Sequence, residues 1–122
     1  MAYKRFVVEL GTGADLHGAD MTKAAVRAVR DAISRSCLCG IIEILGRHDF
    51  RGVRVHADLS VPEPDKVDRD AVLAAIPVGE KSLAVSAGGL RAPGIEVARF
   101  GPGSSDIVMA CVALTVSVEI DA

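Results

Sequence analysis

Strict alternation of apolar and polar side chains marks residues 51–61, which read RGVRVHADLSV. Successive side chains of a strand point to opposite faces of its sheet, so this period of two predicts a strand with one buried face. The apolar set and the polar set are Val53, Val55, Ala57 and Leu59, and Arg54, His56, Asp58 and Ser60. The chain is therefore expected to contain a sheet with one apolar and one polar face.

Two helices are predicted on either side of this strand. Asp20 is a predicted N-cap, because its carboxylate can accept a hydrogen bond from the first helical turn. Apolar residues then fall on one face at helical spacing, and Gly40 is predicted to end the helix. These residues are Ala25, Val26, Val29, Ile33 and Cys37. A shorter helix is predicted to begin after Asp68 and to stop before Pro77.

Further strands are predicted at residues 3–11, 81–89 and 107–120, with a short one at 95–100, while the apolar run at 41–45 fits either helix or strand. The order strand, helix, strand, helix, strand, strand implies crossover units with two helices on one face of the sheet. The last strand is the longest and most apolar, which predicts a central strand buried on both faces. We therefore expect an α/β (α+β) fold with a mixed β-α-β-α-β-β sheet, in one domain spanning residues 1–122.

Composition excludes several classes of partner. The net charge is −2, the basic residues are scattered and only 3% of residues are aromatic, which argues against nucleic acid. The longest apolar run, at 107–120, is too short and too polar to span a bilayer, so no membrane partner is expected. Three cysteines and the lack of a leader favour reduced thiols in the cytoplasm. Cys37 and Cys39 lack the second ligand pair of a zinc site, so we expect them to be small buried residues.

The segment GTGADLHG, residues 11–18, joins the first strand to the first helix. Gly11 and Gly13 have two interpretations: they supply positive φ in a turn, or they let backbone N–H groups approach a carboxylate or phosphate at the helix N-terminus. A dinucleotide site is not implied, because Leu16 stands where its third glycine would be.

Asp15 and His17 also have two interpretations. Asp15 stabilises the turn through its own backbone, or the two residues form an acid/base pair. If His56 and Asp58 converged on them, the four side chains would form a metal site. Neither spacing is a known ligand motif, so no metal and no cofactor are predicted.

Lys23, Ser86 and the glycines after Ser86 form a second group of candidates. Lys23 is either a solvated surface residue or a group that binds a substrate carboxylate or acts as the base for Ser86. Gly88 and Gly89 either allow a bend or offer N–H groups to an oxyanion. Arg91 would bind a carboxylate. The cluster Ser104, Ser105 and Asp106 is a turn, or a ligand loop if it faces the same cleft.

Several segments resemble known families. Gly11, Gly13, Asp15, His17 and Gly18 resemble the N-terminal signature Gly-x-Gly-x-Asp-x-His-Gly of a conserved family of unassigned function. The segments TKAAVRAVRDAI, SAGG and GSSDIVMACVALTVSV resemble the same family. The element order is similar to the chorismate-mutase-like fold of the YjgF-type enamine/imine deaminases, which implies a homotrimer with metabolite clefts between subunits.

A further resemblance is to the repeat units of the ring-opening amidohydrolases, cyanuric acid hydrolase and barbiturase. Ser86 and Lys23 would take the roles of their serine and lysine, although Ala87 separates Ser86 from the glycine pair. This resemblance implies hydrolysis of a cyclic amide.

Two classes of function follow. The first is a hydrolase acting on a small metabolite between subunits, with Asp15, His17, Lys23 and Ser86 as catalytic residues. The substrate or anion would bind to Gly11, Gly13, Gly18, Gly88, Gly89, Arg91, Ser105 and Asp106. The alternative is a non-catalytic oligomeric module that binds a small anion or metabolite or serves a structural role. Convergence of these side chains would favour catalysis, whereas their use in turns within one chain would favour the alternative.

Overall fold

The computed structural model describes residues 2–101 and 105–121. The strands are β1 (Ala2–Asp15), β2 (Val53–Val61), β3 (Glu80–Ala87), β4 (Leu90–Pro93) and β5 (Asp106–Ile120). The helices are α1 (Met21–Ser34), α2 (Cys39–Glu43) and α3 (Arg69–Ala74), with single 3₁₀ turns at Pro64–Lys66 and Ala98–Phe100. No helix in these residues is long and apolar enough to cross a membrane.

One five-stranded sheet organises the chain, in the order β1-β5-β2-β3. β5 is antiparallel to both β1 and β2, whereas β2 and β3 are parallel. β4 pairs with the first residues of β5, beyond the point where β2 ends. The predicted mixed sheet and the central position of the last strand are therefore confirmed. β1 and β2 run in the same direction but are not neighbours, because β5 lies between them. The more detailed chorismate-mutase-like assignment stays a prediction.

Helices cover only one face of the sheet. Alternate residues of β2 and β5 are buried beneath them, so within one chain β5 is buried on one face, and burial of its second face stays a prediction. We call the other side the open face. Its side chains are Val8, Leu10 and Thr12 of β1, Met109, Cys111, Ala113, Thr115 and Ser117 of β5, Arg54, His56, Asp58 and Ser60 of β2, and Ser82, Ala84 and Ser86 of β3.

Gly11 and Gly13 allow α1 to lie directly on β1. A Cβ atom on Gly13 would be 2.5 Å from the Ala24 carbonyl oxygen and would overlap the Ala28 nitrogen. A Cβ on Gly11 would be 2.6 Å from the Ala32 nitrogen. Neither glycine has a positive φ, so the turn interpretation of both is wrong. Their physical role is close helix–strand packing, which residues without a Cβ permit.

Both predicted helix N-caps are confirmed. The Asp20 carboxylate accepts a hydrogen bond from the Lys23 N–H at 3.0 Å, and that of Asp68 accepts one from the Ala71 N–H at 3.2 Å. The hydroxyl of Thr22 accepts a bond from the Asp68 N–H at 2.9 Å. This bond joins the starts of α1 and α3 at the same end of the sheet.

Residues 35–45 differ from the prediction. α1 ends at Ser34, and Gly40 lies inside α2, where a Cβ would be 2.7 Å from the Phe6 ring. The glycine thus packs against Phe6 and does not end α1. Because Cys37 and Cys39 lie outside the core, their expected burial is also wrong, while Cys111 is half-buried.

The segment between β3 and β5 also differs. The strand predicted at 95–100 is absent from the described residues; Ala98–Phe100 form a 3₁₀ turn instead. The short strand lies earlier, at Leu90–Pro93, because the glycine turn after β3 returns the chain alongside the first residues of β5.

Side chains of α1 protect the outer edge of β1. Arg27 donates to the Ala14 carbonyl at 2.7 Å, the Thr12 N–H donates to Asp31 at 2.9 Å, and Arg35 donates to the Leu10 carbonyl. The three side chains are spaced four residues apart, so they lie along one side of the helix.

Candidate functional site

The strands β1, β2 and β3 all end at one edge of the sheet, because they run in the same direction. Ligands of open α/β sheets bind at this carboxyl edge. Most predicted site residues follow these strands or precede β5, namely Asp15, His17, Gly18, Lys23, Ser86, Gly88, Gly89, Arg91, Ser105 and Asp106. Gly11 and Gly13 lie within β1 beneath α1.

Asp15 holds the connection between β1 and α1. Its side chain is buried, and Oδ2 accepts a hydrogen bond from the Asp20 N–H at 2.9 Å. Lys23 Nζ lies 4.0 Å from Oδ1, with half of the lysine side chain exposed. Gly18 has a φ of 111°, which an L side chain rarely adopts, and so allows the tight path of this loop. The geometry therefore supports a role for Asp15 in stabilising the turn.

His17 packs against an aromatic ring from the segment before β5. Its imidazole stacks on Phe100 with ring centroids 4.7 Å apart and an interplanar angle of 24°. This contact joins the loop after β1 to the 3₁₀ turn at Ala98–Phe100. The proposed catalytic role of His17 stays a prediction.

Arg91 bridges two carboxylates of its own chain. One guanidinium nitrogen lies 2.6 Å from Glu63 and the other 3.2 Å from Asp106. Lys66 also contacts Glu63, at 3.1 Å. Hydrogen bonds from Lys66 and Arg91 lower the pKa of the Glu63 carboxyl below its ordinary value. A substrate carboxylate would have to compete with these groups for Arg91.

Ser86 and Lys23 are not brought together. Ser86 lies on the open face opposite Ser60, and its hydroxyl is 3.5 Å from the Leu59 carbonyl oxygen. Lys23 belongs to α1, which covers the other face. The sheet therefore separates the two members of the predicted serine–lysine pair.

The two glycines after Ser86 have structural roles in a turn. Gly89 has a φ of 68°, and a Cβ there would overlap the Met109 carbonyl oxygen. The Gly88 N–H donates to the Val61 carbonyl at 2.9 Å, so it is already engaged. These observations favour the bend over the oxyanion site.

The segment before β5 is held by β4. The Ser105 carbonyl accepts a hydrogen bond from the Gly94 N–H at 2.7 Å, and Asp106 contacts Arg91. Ser104 lies outside the described residues.

The open face carries a hydrogen-bonded chain of three side chains. His56 Nδ1 lies 2.7 Å from Ser82 Oγ, and His56 Nε2 lies 3.1 Å from Asp58 Oδ1. Sequence reasoning placed His56 and Asp58 on the polar face but missed Ser82. The alternation of residues in β3 could have indicated Ser82, because it places Ser82, Ala84 and Ser86 on one face of the sheet.

Asp15 and the pair His56 and Asp58 lie on opposite faces of the sheet, so the four-residue metal site considered from the sequence does not form. Across residues 2–101 and 105–121, no group of three or more histidine, cysteine or acidic side chains is arranged to hold a metal ion.

A shallow depression of about 510 Å³ lies on the open face next to Asp58. It lies over β5, between β1 and β2. Its floor includes Cys111 and Ala113 of β5, and Asp58 and Ser60 line one side. Arg35, the residue after α1, contributes to its rim. The volume falls within the range of small-molecule sites in proteins.

Comparison with known proteins agrees with this architecture, an α+β module with one covered and one open sheet face. The chain belongs to a family of conserved hypothetical proteins, the Lin0512 family, whose model matches residues 5–116. The predicted membership of a conserved family of unassigned function is therefore confirmed. The other two resemblances stay predictions.

A solved structure from Nostoc punctiforme, described as an FtsZ-like protein of unknown function, is 36% identical to this chain with a TM-score of 0.87. The match covers 98% of this chain and 99% of the Nostoc chain. No protein with a curated description matches. The chain is thus a conserved protein of unknown function.

Proposed function

We propose that this protein is a homo-oligomeric binding module that self-associates through its open face. The observation that carries this proposal is that, in the part of the chain that the structure describes, no helix lies over the open side of the central strand β5. Leu10 of β1 is 67% exposed on that side, and the polar residues of β2 lie across β5 from it. An apolar patch with a polar surround is typical of protein–protein interaction sites.

The dimensions of the open face support this proposal. Four strands span about 19 Å and the nine residues of β2 about 30 Å, which gives a projected area of about 600 Å². Protruding side chains make the accessible area larger than this projected area. A stable interface needs about 800 Å² of accessible surface from each partner. A face of this size therefore supplies most of a standard interface.

Charged groups on and beside the open face are compatible with burial, because several are already paired. Arg54 contacts Glu80 at 3.4 Å and lies over the Tyr3 ring, 3.6 Å from its centroid. A hydrogen bond with Glu119 raises the pKa of the Tyr3 phenol. Paired charges cost less to bury than isolated ones.

The depression beside Asp58 and Ser60 would form the ligand site of this module. Covering the open face with a second copy would enclose the depression, and its carboxylate, hydroxyl and guanidinium groups suit a small polar metabolite. The hydrolase alternative is less favoured, because the sheet separates Ser86 from Lys23. A trimer is the expected assembly on the resemblance to the chorismate-mutase-like fold.

Light scattering after size exclusion tests self-association. Three copies of the 12.7 kDa chain would give about 38 kDa. Leu10→Arg places a charge on the open face and should dissociate the assembly. Ile44→Arg is the matched control, because Ile44 is 81% exposed but follows α2, away from the open face. A wild-type mass of one chain would refute the proposal, and so would equal dissociation by both variants.

Thiol reactivity provides a second measurement. Cys111 lies on the open face, whereas Cys37 and Cys39 are exposed beside α2. We expect Cys111 to react with a thiol reagent several-fold faster in Leu10→Arg than in the wild type, with the other two cysteines unchanged. Equal rates for Cys111 in both proteins would contradict burial of the open face.

A further inference from the structure

We propose that Ser82 is a nucleophile activated by His56 and oriented through Asp58, forming a hydrolytic site on the open face. The three side chains form the hydrogen-bonded order serine, histidine, carboxylate, with distances of 2.7 Å and 3.1 Å. That order defines the serine hydrolase triad on unrelated folds, where geometry and not sequence position identifies it. This proposal goes beyond self-association and concerns residues that sequence reasoning did not select as catalytic.

Strand register produces the arrangement. His56 and Ser82 are direct partners on the parallel strands β2 and β3, so their side chains stand side by side on the open face. Asp58 is two residues beyond His56 on the same strand and therefore points to the same face. The backbone of each of the three residues is held in a strand, which limits the movement of their side chains relative to one another.

The protons follow from the chemistry of the partners. An ionised carboxylate only accepts hydrogen bonds, so Nε2 of His56 carries the proton that is donated to Asp58. In neutral imidazole the other nitrogen, Nδ1, then holds a lone pair and accepts the hydrogen bond from the Ser82 hydroxyl. Asp58 thereby selects the tautomer in which His56 can act as the base for Ser82.

The reaction that this arrangement supports is acyl transfer from an ester. Ser82 Oγ attacks the carbonyl carbon as its proton passes to His56 Nδ1, and the tetrahedral intermediate collapses when that proton is delivered to the departing alkoxide. Water then attacks the acyl-serine by the same route, which releases the carboxylic acid and restores the Ser82 hydroxyl. All atoms come from ester and water, and no oxidant or cofactor is required.

The nearest residue to Ser82 on the open face of β3 is small, so it leaves room for an acyl group. Ala84, two residues along β3 on the same face, presents only a methyl group. The Leu83 carbonyl accepts a hydrogen bond from Arg69 and so points away from β2.

Accessibility is compatible with a substrate. The side chains of His56 and Asp58 are 42% and 63% exposed, so a small ester can reach the base and the nucleophile in a single chain. The proposal can therefore be tested in Leu10→Arg whether or not the wild type self-associates. Failure of one proposal is thus distinguishable from failure of the other.

Labelling with a fluorophosphonate tests the nucleophile. Attack by Ser82 Oγ on phosphorus would expel fluoride and leave a stable adduct, which intact-mass measurement and peptide mapping locate. We expect one adduct, on Ser82, that is lost in Ser82→Ala. His56→Gln should slow its formation by about 100-fold, the lower end of the range for general-base catalysis. Asp58→Asn should also slow it, because the amide no longer selects the productive tautomer.

The labelling variants are made in the Leu10→Arg background, in which the open face is accessible. Ser117→Ala is the matched control, because Ser117 of β5 lies on the same open face, opposite Arg54, and belongs to none of the predicted sites. That variant should label at the rate of the Leu10→Arg protein. Circular dichroism would verify that each variant is folded. Absence of an adduct on Ser82 in the folded Leu10→Arg protein would overturn the proposal, and so would an unchanged labelling rate when His56→Gln is added.

Discussion

Gly13→Ala tests whether the glycine motif serves packing or ligand binding. The new Cβ would lie 2.5 Å from the Ala24 carbonyl oxygen and would overlap the Ala28 nitrogen. Ordinary contacts begin near 3.4 Å, so α1 must move by about 1 Å. Both obstacles are backbone atoms, and no side-chain rotation relieves them.

The cost of this substitution can be worked out from two opposing effects. Overpacking of a close-packed interior costs about 1–3 kcal/mol, and a clash with backbone on two sides belongs at the upper end. Replacing glycine by alanine lowers the entropy of the unfolded chain and returns about 0.4–1 kcal/mol. The net loss should be about 2 kcal/mol, which corresponds to a fall of roughly 8 °C in Tm for a domain of this size.

Urea denaturation followed by circular dichroism measures the loss. Thr12→Ala is the control, because Thr12 is the adjacent residue and its exposed side chain lies on the open face. It should change the free energy of unfolding by no more than about 0.5 kcal/mol. A Gly13→Ala protein as stable as Thr12→Ala would refute the packing role and restore the ligand interpretation of the motif.

Two further predictions concern single carboxylates. Asp20→Ala should lower the free energy of unfolding by about 1 kcal/mol through loss of the α1 N-cap, and Asp20→Gly should lower it by only a few tenths of a kcal/mol. Urea denaturation measures both losses, and equal losses would contradict the capping role. Glu63 has a pKa lowered mainly by hydrogen bonding to Lys66, so its contribution to stability is complete above its ordinary pKa of 4.5 and is lost as the pH falls through the lowered value. Thermal melts should therefore show a smaller loss of stability below pH 4.5 in Glu63→Gln than in the wild type, and parallel pH profiles would exclude this linkage.

Local chemistry made much of the fold predictable. The alternation at 51–61 defines β2 and its two faces because the side-chain period of a strand is two. Asp20 and Asp68 mark helix starts because the first backbone N–H groups of a helix need acceptors from outside it. The unusual length and apolar content of residues 107–120 correctly indicated a central strand.

Features that depend on nonlocal geometry were not predictable. The position of β5 between β1 and β2 follows from antiparallel pairing across more than 50 residues, which no local pattern encodes. The role of Gly13 depends on the distance between α1 and β1. Ser82 became a partner of His56 only through the register of β2 against β3, since a slip of one residue would have placed it on the other face.

The edges of the sheet decide how copies of this chain can associate. An exposed edge strand offers unpaired N–H and C=O groups to a further strand, and natural sheets block such pairing. Arg27, Asp31 and Arg35 occupy these groups on β1 from Leu10 to Ala14, because the glycines beneath α1 bring the helix close enough for its side chains to reach over the strand.

On the opposite edge of the sheet, Arg69 occupies one such group, the Leu83 carbonyl of β3. Extension of the sheet from chain to chain is therefore disfavoured along β1, and the open face is the broad surface that would serve the proposed self-association. The close packing of α1 on Gly11 and Gly13 thus leaves face-to-face contact as the route for the proposed self-association, in which Ser82, His56 and Asp58 would lie where copies meet.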